Sequence, residues 1–219
     1  MIVAIDGPAG AGKSTVAREL AARLGVGYLN TGAMYRALAL LALERGVDPD
    51  DGGALADLSR AHEIGLQATA AGERVMVDGR DVTDAVRAQR VTRIVSRVAA
   101  HRAVRGEIVS LQREVLATGD WVADGRDIGS VVCPDAEVKI YLTADPGERA
   151  RRRHVEIVTG GADVALEDVL QEILERDRID STREESPLVV PDGAVVVDTS
   201  GVPVGAVVER LVGIVGATR

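Results

Sequence analysis

The chain begins MIVAIDGPAGAGKST (residues 1–15). Met1 to Ile5 is a short apolar run closed by a turn signal, the pattern of a buried strand. Gly7, Pro8, Ala9, Gly10, Ala11, Gly12, Lys13 and Ser14 then spell G-x-x-x-x-G-K-[ST], with Thr15 behind them. Glycines let such a loop curl until successive backbone N–H groups face one anion. Lys13 would bring an ammonium to the outer phosphates of a nucleotide, and the Ser14 hydroxyl would hold Mg²⁺. Beyond the loop, Val16, Ala17, Leu20, Ala21 and Leu24 recur at helical spacing, and Gly25 reads as the stop. The helix therefore opens at the loop, and its partially positive end adds to the anion site. Strand, loop and helix in this order predict a nucleotide-binding site.

Working outward, 219 residues suffice for one sizeable α/β core with a small insertion. A hydrophobic fraction of 46% excludes disorder, and no apolar run approaches the ~18 residues of a membrane span. No basic leader precedes the first strand, so a signal peptide is not expected. The single cysteine, Cys133, forbids an internal disulfide framework and fits a reducing cytoplasm. It reads as a small apolar residue rather than a catalytic thiol. The net charge is −8, from 26 Lys+Arg against 34 Asp+Glu, which argues against nucleic-acid binding by phosphate neutralisation. Phenylalanine is absent and aromatics are 2%, so base-stacking platforms are not expected either. Lysine occurs only at Lys13 and Lys139; the other cations are arginines, whose planar fork suits small phosphates and carboxylates. With no heptad pattern, a monomer is expected.

Further along, Thr31-Gly32 precedes an apolar-periodic segment ending at Gly46, which predicts a second helix capped by Thr31. Tyr35 and Arg36 fall in its first turn, where a cation opposes the helix dipole. Arg36 is therefore either solvated or turned toward a bound phosphate. A short helix is expected over 54–61. Residues 63–82 alternate apolar and polar about an Ala70-Ala71-Gly72-Glu73 turn, a β-hairpin with a short third strand. This is read as a small β insertion. Helices over about 84–100 and 102–118 follow, then strands at Trp121–Ala123 and Val138–Leu142. Asp145-Pro146-Gly147-Glu148 is a strong helix start, with Asp as cap and Pro at the first position. Another helix covers about 165–180, and a strand at 195–197 and a helix at 204–215 close the chain. Strands alternating with helices predict a parallel sheet covered on both faces, with ligands at the carboxyl ends of its strands.

Three groups narrow the chemistry. Asp124-Gly125-Arg126-Asp127 follows a strand, so it should emerge at the sheet edge that carries the phosphate loop. Asp124 and Arg126 either pair only with each other or read a polar ligand. The run Arg149, Arg151, Arg152 and Arg153 gathers like charges early in a helix, against its dipole; a polyanion would relieve that cost. Such cations serve phosphoryl transfer, and Gly160-Gly161 behind them suggests a closing lid over about 148–162. Arg176, Asp180 and Arg183 share a helical face, as a surface salt bridge or as part of a site.

The blocks AIDGPAGAGKST, NTGAMYR, ADGRDIGSVV, VKIYLTA with ERARRR, and ERDRIDSTREESPL occur in this order. Together they resemble the bacterial cytidylate kinase family, P-loop nucleoside monophosphate kinases, over nearly the whole chain. The resemblance implies one P-loop kinase domain over 1–219, with the β insertion on the monophosphate-binding side. It implies ATP as phosphoryl donor, with Mg²⁺, and CMP or dCMP as acceptor. Gly7 to Thr15 would bind ATP and Mg²⁺. Arg36, Arg126 and Arg176 would hold the acceptor phosphate, Thr31 and Asp124 would lie beside it, and Asp180 would take the ribose. Ser96, Arg105, Asp127 and Arg183 would read cytosine: the exocyclic amine donates, and the ring O2 and N3 accept. Arg149, Arg152 and Arg153 would form the lid. The alternatives are a kinase of another acceptor, such as UMP, AMP or shikimate, and a regulator that binds ATP without an acceptor. Cys133 stands where phenylalanine is expected, and Thr31 where serine often occurs.

Overall fold

The computed structural model describes residues 1–69 and 72–218. Ala70 and Ala71, read above as the start of the hairpin turn, lie outside the described residues. The chain forms two compact units, one from Met1–Tyr28 with Gly119–Arg219 and the other from Leu29–Thr118. The first unit opens with β1 (Ile2–Asp6), α1 (Lys13–Leu24) and β2 (Gly27–Asn30), whose last two residues belong to the second. The second unit continues with α2 (Thr31–Arg45), α3 (Gly52–Ala61), β3 (Ile64–Thr69), β4 (Gly72–Val77), β5 (Arg80–Asp81), α4 (Gln89–Val98) and α5 (Arg102–Leu116). The chain then returns through β6 (Trp121–Asp124), β7 (Val138–Thr143), α6 (Pro146–Thr159), α7 (Leu166–Thr182), β8 (Val195–Asp198) and α8 (Val204–Thr218).

The larger sheet has the order β2-β6-β1-β7-β8. Strand β1 pairs in parallel with β6 (Ile5↔Asp124) and with β7 (Asp6↔Tyr141), and β7 pairs in parallel with β8. Parallel pairing brings the carboxyl ends of β1 and β6 to one edge, so the phosphate loop and the Asp124–Asp127 turn leave the sheet side by side. Val3, Ile5, Val122, Ile140, Leu142 and Val197 of the strands pack with Val16 and Leu20 of α1 and with Val208 and Leu211 of α8. Burial of each such aliphatic side chain contributes about 1.5–3 kcal/mol. The continuous apolar character of residues 2–5 follows from this two-sided burial.

Gly7 shows why the loop has its sequence. Its φ is 147°, and a Cβ built there would lie 2.0 Å from the Leu142 carbonyl oxygen. Neither the backbone conformation nor the space admits a side chain. Gly7→Ala is expected to destabilise the protein by about 3 kcal/mol or more; an unchanged urea midpoint would contradict this.

In the second unit β3 and β4 pair antiparallel from Ile64↔Val77 to Thr69↔Gly72, and β5 adds two residues at the edge of β4. This sheet shares one hydrophobic core with the helices around it, through Leu38, Leu41, Leu55, Ile64, Val75, Val77, Val86, Val91 and Ile108. The segment read as an insertion is thus one wall of a larger core.

Several expectations are corrected. Strand β2 was not foreseen, since four residues of mixed polarity carry no pattern. Gly27 sits there because Trp121 covers it: a Cβ would meet the indole at 2.4 Å. The cap of α2 is Asn30, whose side chain accepts from the Ala33 N–H, so Thr31 is the first helical residue and not the cap. Arg36 consequently lies in the second turn. The helix expected over 84–100 is two pieces, a 3-10 turn at Ala85–Arg87 and then α4, because Ala88 is extended with ψ 145°. Arg183 lies beyond the last residue of α7, with ψ 143°, and does not continue the helical face of Arg176 and Asp180.

Candidate active site

The site grows from the carboxyl ends of β1 and β6. Lys13 is the first residue of α1, is buried, and its Nζ donates to the Pro8 carbonyl at 2.7 Å. The side chain is thus folded back over its own loop. Burial, and then the nearby Arg126, push its pKa well below the usual lysine value, against the pull of Asp124, Asp6 and Asp180. Ser14 Oγ donates to Asp124 Oδ2 at 2.9 Å, and the Tyr28 hydroxyl donates to Asp124 Oδ1 at 2.8 Å. Asp124 is buried; loss of water raises its pKa, and Lys13, Tyr28 and Ser14 oppose the rise. The Arg18 guanidinium lies 5.6 Å from the centre of the Tyr28 ring. Asp124 thus stands against the phosphate loop through its hydrogen bonds, while Arg126 acts on it electrostatically. In P-loop phosphotransferases the metal ion is held by the loop Ser/Thr and by an aspartate of this kind. Tyr28 escaped the sequence reading because an isolated tyrosine in an unrecognised strand carries no signal.

Arg126 turns to α7. Its Nε donates to Asp180 Oδ2 at 2.9 Å, and an Arg183 amino group lies 3.9 Å from the other Asp180 oxygen. Asp180 is 3% exposed. Burial alone would raise its pKa, but Arg126, Arg176 and Arg183 outweigh that and hold it below the usual carboxylate value. This is a buried cluster and not the surface salt bridge that its helical spacing allowed. Arg176 sits in the same field: burial and then Arg126 push its pKa down, and its buried Nε has no hydrogen-bond partner. Asp180 is not the sole counter-charge: Asp177 and Asp124 also act on Arg126, whose pKa is raised despite burial, and Glu172 acts on Arg176.

The arginine run of α6 is more fully partnered than its sequence suggested. Asp145 caps the helix as expected, accepting from the Gly147 and Glu148 amides. Arg149 is buried and donates to the Ala144 and Ala9 carbonyls at 3.0 and 2.9 Å, while its second amino group meets Asp177 at 2.7 Å. It therefore ties α6 to the phosphate loop, and its charge has a counter-ion within the chain. Arg152 donates to the Thr199 hydroxyl and carbonyl at 3.1 and 2.7 Å, and the Thr199 hydroxyl donates to the Ala11 carbonyl at 3.2 Å. Arg151 pairs with Glu148, and Arg153 with Glu156. The mutual repulsion expected of the run is thus met by carboxylates one turn away and by loop carbonyls. Thr199, at the end of β8, gave no signal in the sequence.

Asp127 is buried, and its carbonyl accepts from the Val131 and Val132 amides at 2.9 and 3.0 Å, which closes a π-type turn over Ile128–Val132. Asp6, at the end of β1, is fully buried and accepts from the Ile128 and Gly129 amides, both at 2.8 Å. Burial raises its pKa from 3.8 to about 6, although the two amides oppose the shift. Its protonation therefore favours the fold as pH drops from about 6 toward 3.8; keeping it ionised at neutral pH costs on the order of 3 kcal/mol.

The second unit carries the remaining expected residues. Arg36 donates from one amino group to the Val86 carbonyl at 3.1 Å and the Thr92 hydroxyl at 2.9 Å. Thr31, Ser96 and Arg105 are buried; Arg105 donates to the Ala99 carbonyl at 3.2 Å and lies 5.4 Å from the centre of the Tyr35 ring. Ser96 and Arg105 are therefore not ordinary helix surface.

Among the described residues no three His, Cys, Asp or Glu side chains gather as a metal-binding group, and no helix is long and apolar enough to cross a membrane. The chain is similar to the cytidylate kinase of Carboxydothermus hydrogenoformans, 48% identical over 99% of this chain and 97% of the relative. It is also similar to that of Geobacillus kaustophilus, 51% identical over 97% and 95% of the two chains. Among solved structures, TT1252 from Thermus thermophilus shares the fold, with a TM-score of 0.50 and 21% identity over 99% of this chain and 96% of that one. The cytidylate kinase family model matches residues 3–217. A phosphate loop, an aspartate bound to its serine and a buried arginine cluster thus stand in a chain that belongs to the cytidylate kinase family.

Proposed function

We propose that the chain transfers the γ-phosphoryl group of ATP to CMP or dCMP, giving ADP and CDP or dCDP, with Mg²⁺ as cofactor. One observation carries the reading beyond nucleotide binding. Arg126, Arg176 and Arg183 gather at Asp180 beside the phosphate loop, and among the described residues the buried Arg176 Nε finds no hydrogen-bond partner. A second anion beside the phosphate loop would give that donor an acceptor; a regulator that only binds ATP leaves it without purpose.

The roles follow from chemistry. The Gly7–Thr15 loop would bind the ATP phosphates, and Lys13 would stabilise the charge that develops on the transferring group. Ser14 Oγ and the Asp124 carboxylate are hard oxygen donors that would hold Mg²⁺, the nucleotide's phosphate oxygens completing the shell. When bound, the ion supplies further neutralisation of phosphate charge. Arg126 and Arg176 would clamp the acceptor phosphate, and Asp180 would meet the ribose. The acceptor phosphate is itself an anionic nucleophile, so no strong general base is required, and catalysis reduces to positioning and electrostatics. Asp127 and Arg183 of the first unit, and Ser96 and Arg105 of the second, are assigned to cytosine on the family resemblance. Arg36 and Thr31 are assigned to the acceptor on the same ground, and Arg149, Arg152 and Arg153 to a lid. A monomer in the cytoplasm is the setting that fits a lone cysteine and the lack of a heptad pattern.

The test is stoichiometric. ADP and CDP should form in a 1:1 ratio from ATP and CMP, and ADP release without CMP should be less than about a hundredth of that rate. ADP formation indifferent to CMP would refute the reading.

A further inference from the structure

The mechanism above leaves Asp6 without a role, although it is fully buried at the junction between β1 and the phosphate loop. Its two oxygens each accept one of two consecutive amides, Ile128 and Gly129, at 2.8 Å. Those amides open the π-type turn that begins directly after Arg126 and Asp127. Gly7, the next residue along the chain, has no room for any side chain, so the strand end itself is fixed against β7. The same carboxylate thus joins a fixed point, the root of the phosphate loop, to the backbone that carries Arg126 and Asp127.

We infer that Asp6 is a positioning residue for acceptor binding: it holds the Arg126–Asp127 turn in register with the phosphate loop. The inference rests on the assignment of Arg126 and Asp127 to the acceptor. The chemistry requires an ionised carboxylate, because both facing groups are N–H donors and each needs an acceptor of its own. Asparagine, or protonated aspartic acid, offers one acceptor and turns a second donor toward an amide. The charged groups that face Asp6 are Asp127 from the turn, which disfavours its ionised form, and Lys13 from α1, which favours it. Tyr141, its neighbour on β7, is half-buried. A carboxylate held in so dry a place against its own solvation is poor stabilising design, and it is intelligible as a device for register.

The experiment is Asp6→Asn, with Kd for CMP and for ATP measured separately by calorimetry, alongside Asp127→Asn. Asp6→Asn is expected to weaken CMP binding at least tenfold and to change ATP binding less than about threefold. A merely structural role would weaken both together. Wild-type CMP affinity in Asp6→Asn, with loss in Asp127→Asn, would overturn the positioning role and leave the acceptor assignment standing. Wild-type affinity in both would overturn the assignment and the inference with it. A second readout needs no variant. In the ligand-free wild type, the Ile128 and Gly129 amides should be protected from hydrogen exchange together. Rapid hydrogen exchange at either amide, in place of the protection that both should share, would overturn the inference even if Asp6→Asn does not fold.

Discussion

Lys13→Ala is expected to lower kcat by about 10²–10³-fold, or about 3–4 kcal/mol of transition-state stabilisation, with a folded protein remaining. The ammonium rests on the Pro8 carbonyl in a buried place, and burial and Arg126 weigh against its charge. Among the described residues no carboxylate is hydrogen-bonded to it. On the proposed role, phosphates would add to the counter-charge of Asp124, Asp6 and Asp180, and the interaction would strengthen as charge moves onto the bridging and transferring oxygens. The interaction is thus largest where the reaction needs it, which places its loss in kcat more than in KM. Turnover at saturating ATP and CMP, compared with the unfolding transition of the same variant, checks this. A kcat within about threefold of wild type in a folded variant would contradict the role of Lys13.

Arg126→Ala should raise KM for CMP by about 10²-fold and lower kcat/KM for CMP by about 10²–10³-fold, with KM for ATP little changed. The guanidinium donates one N–H to Asp180 and another to the Gly125 carbonyl at 3.4 Å, and on the proposed role the rest of its fork would meet the acceptor phosphate. Its removal has a second, separable effect. Asp180 is buried, and its low pKa depends on Arg126, Arg176 and Arg183 together. A carboxyl whose folded pKa is depressed contributes stability above its unfolded value near 3.8, and that contribution fades as pH falls through the folded value. Without Arg126 the folded pKa rises, so the variant should lose about 1–3 kcal/mol at neutral pH and unfold in acid at a higher pH than wild type. A sole partner would cost about 3–5 kcal/mol; here Arg176 and Arg183 remain. Arg126→Lys restores the charge without the fork and should recover stability more than CMP affinity. Unaltered KM for CMP in a folded Arg126→Ala would remove this residue from the acceptor site.

How much of this was legible beforehand depended on range. The phosphate loop was readable because its chemistry is local: glycines, Lys13 and Ser14 act within one turn of chain. The Asp145 cap and the glycine stops at Gly25 and Gly46 were readable for the same reason. Partnerships across the sheet were not. Asp124 and Arg126 stand two residues apart, yet one turns to Ser14 and the other to Asp180, 110 and 54 residues away. Residues two apart on a strand share a face, but the strand ends at Asp124 and the chain bends from Gly125, so the two side chains part. Tyr28, Thr199 and Asp6 matter only through such distant pairing, so spacing could not find them. The arginine run of α6 misled in the opposite sense. Its like charges were plain in the sequence, while the carbonyls and carboxylates that receive them were not. The β segment was visible from its alternation, but its share in a helical core depends on residues between 33 and 108 that alternation alone cannot connect.

The measurement that bears most directly on the account is ADP formation from Mg·ATP with CMP, dCMP, UMP, AMP and shikimate offered separately. The account predicts fast turnover with CMP and dCMP, and at least a tenfold lower kcat/KM with each of the others. Equal or faster turnover with UMP, AMP or shikimate would contradict the cytosine assignment, and no acceptor-dependent ADP from the folded protein would contradict the reaction itself.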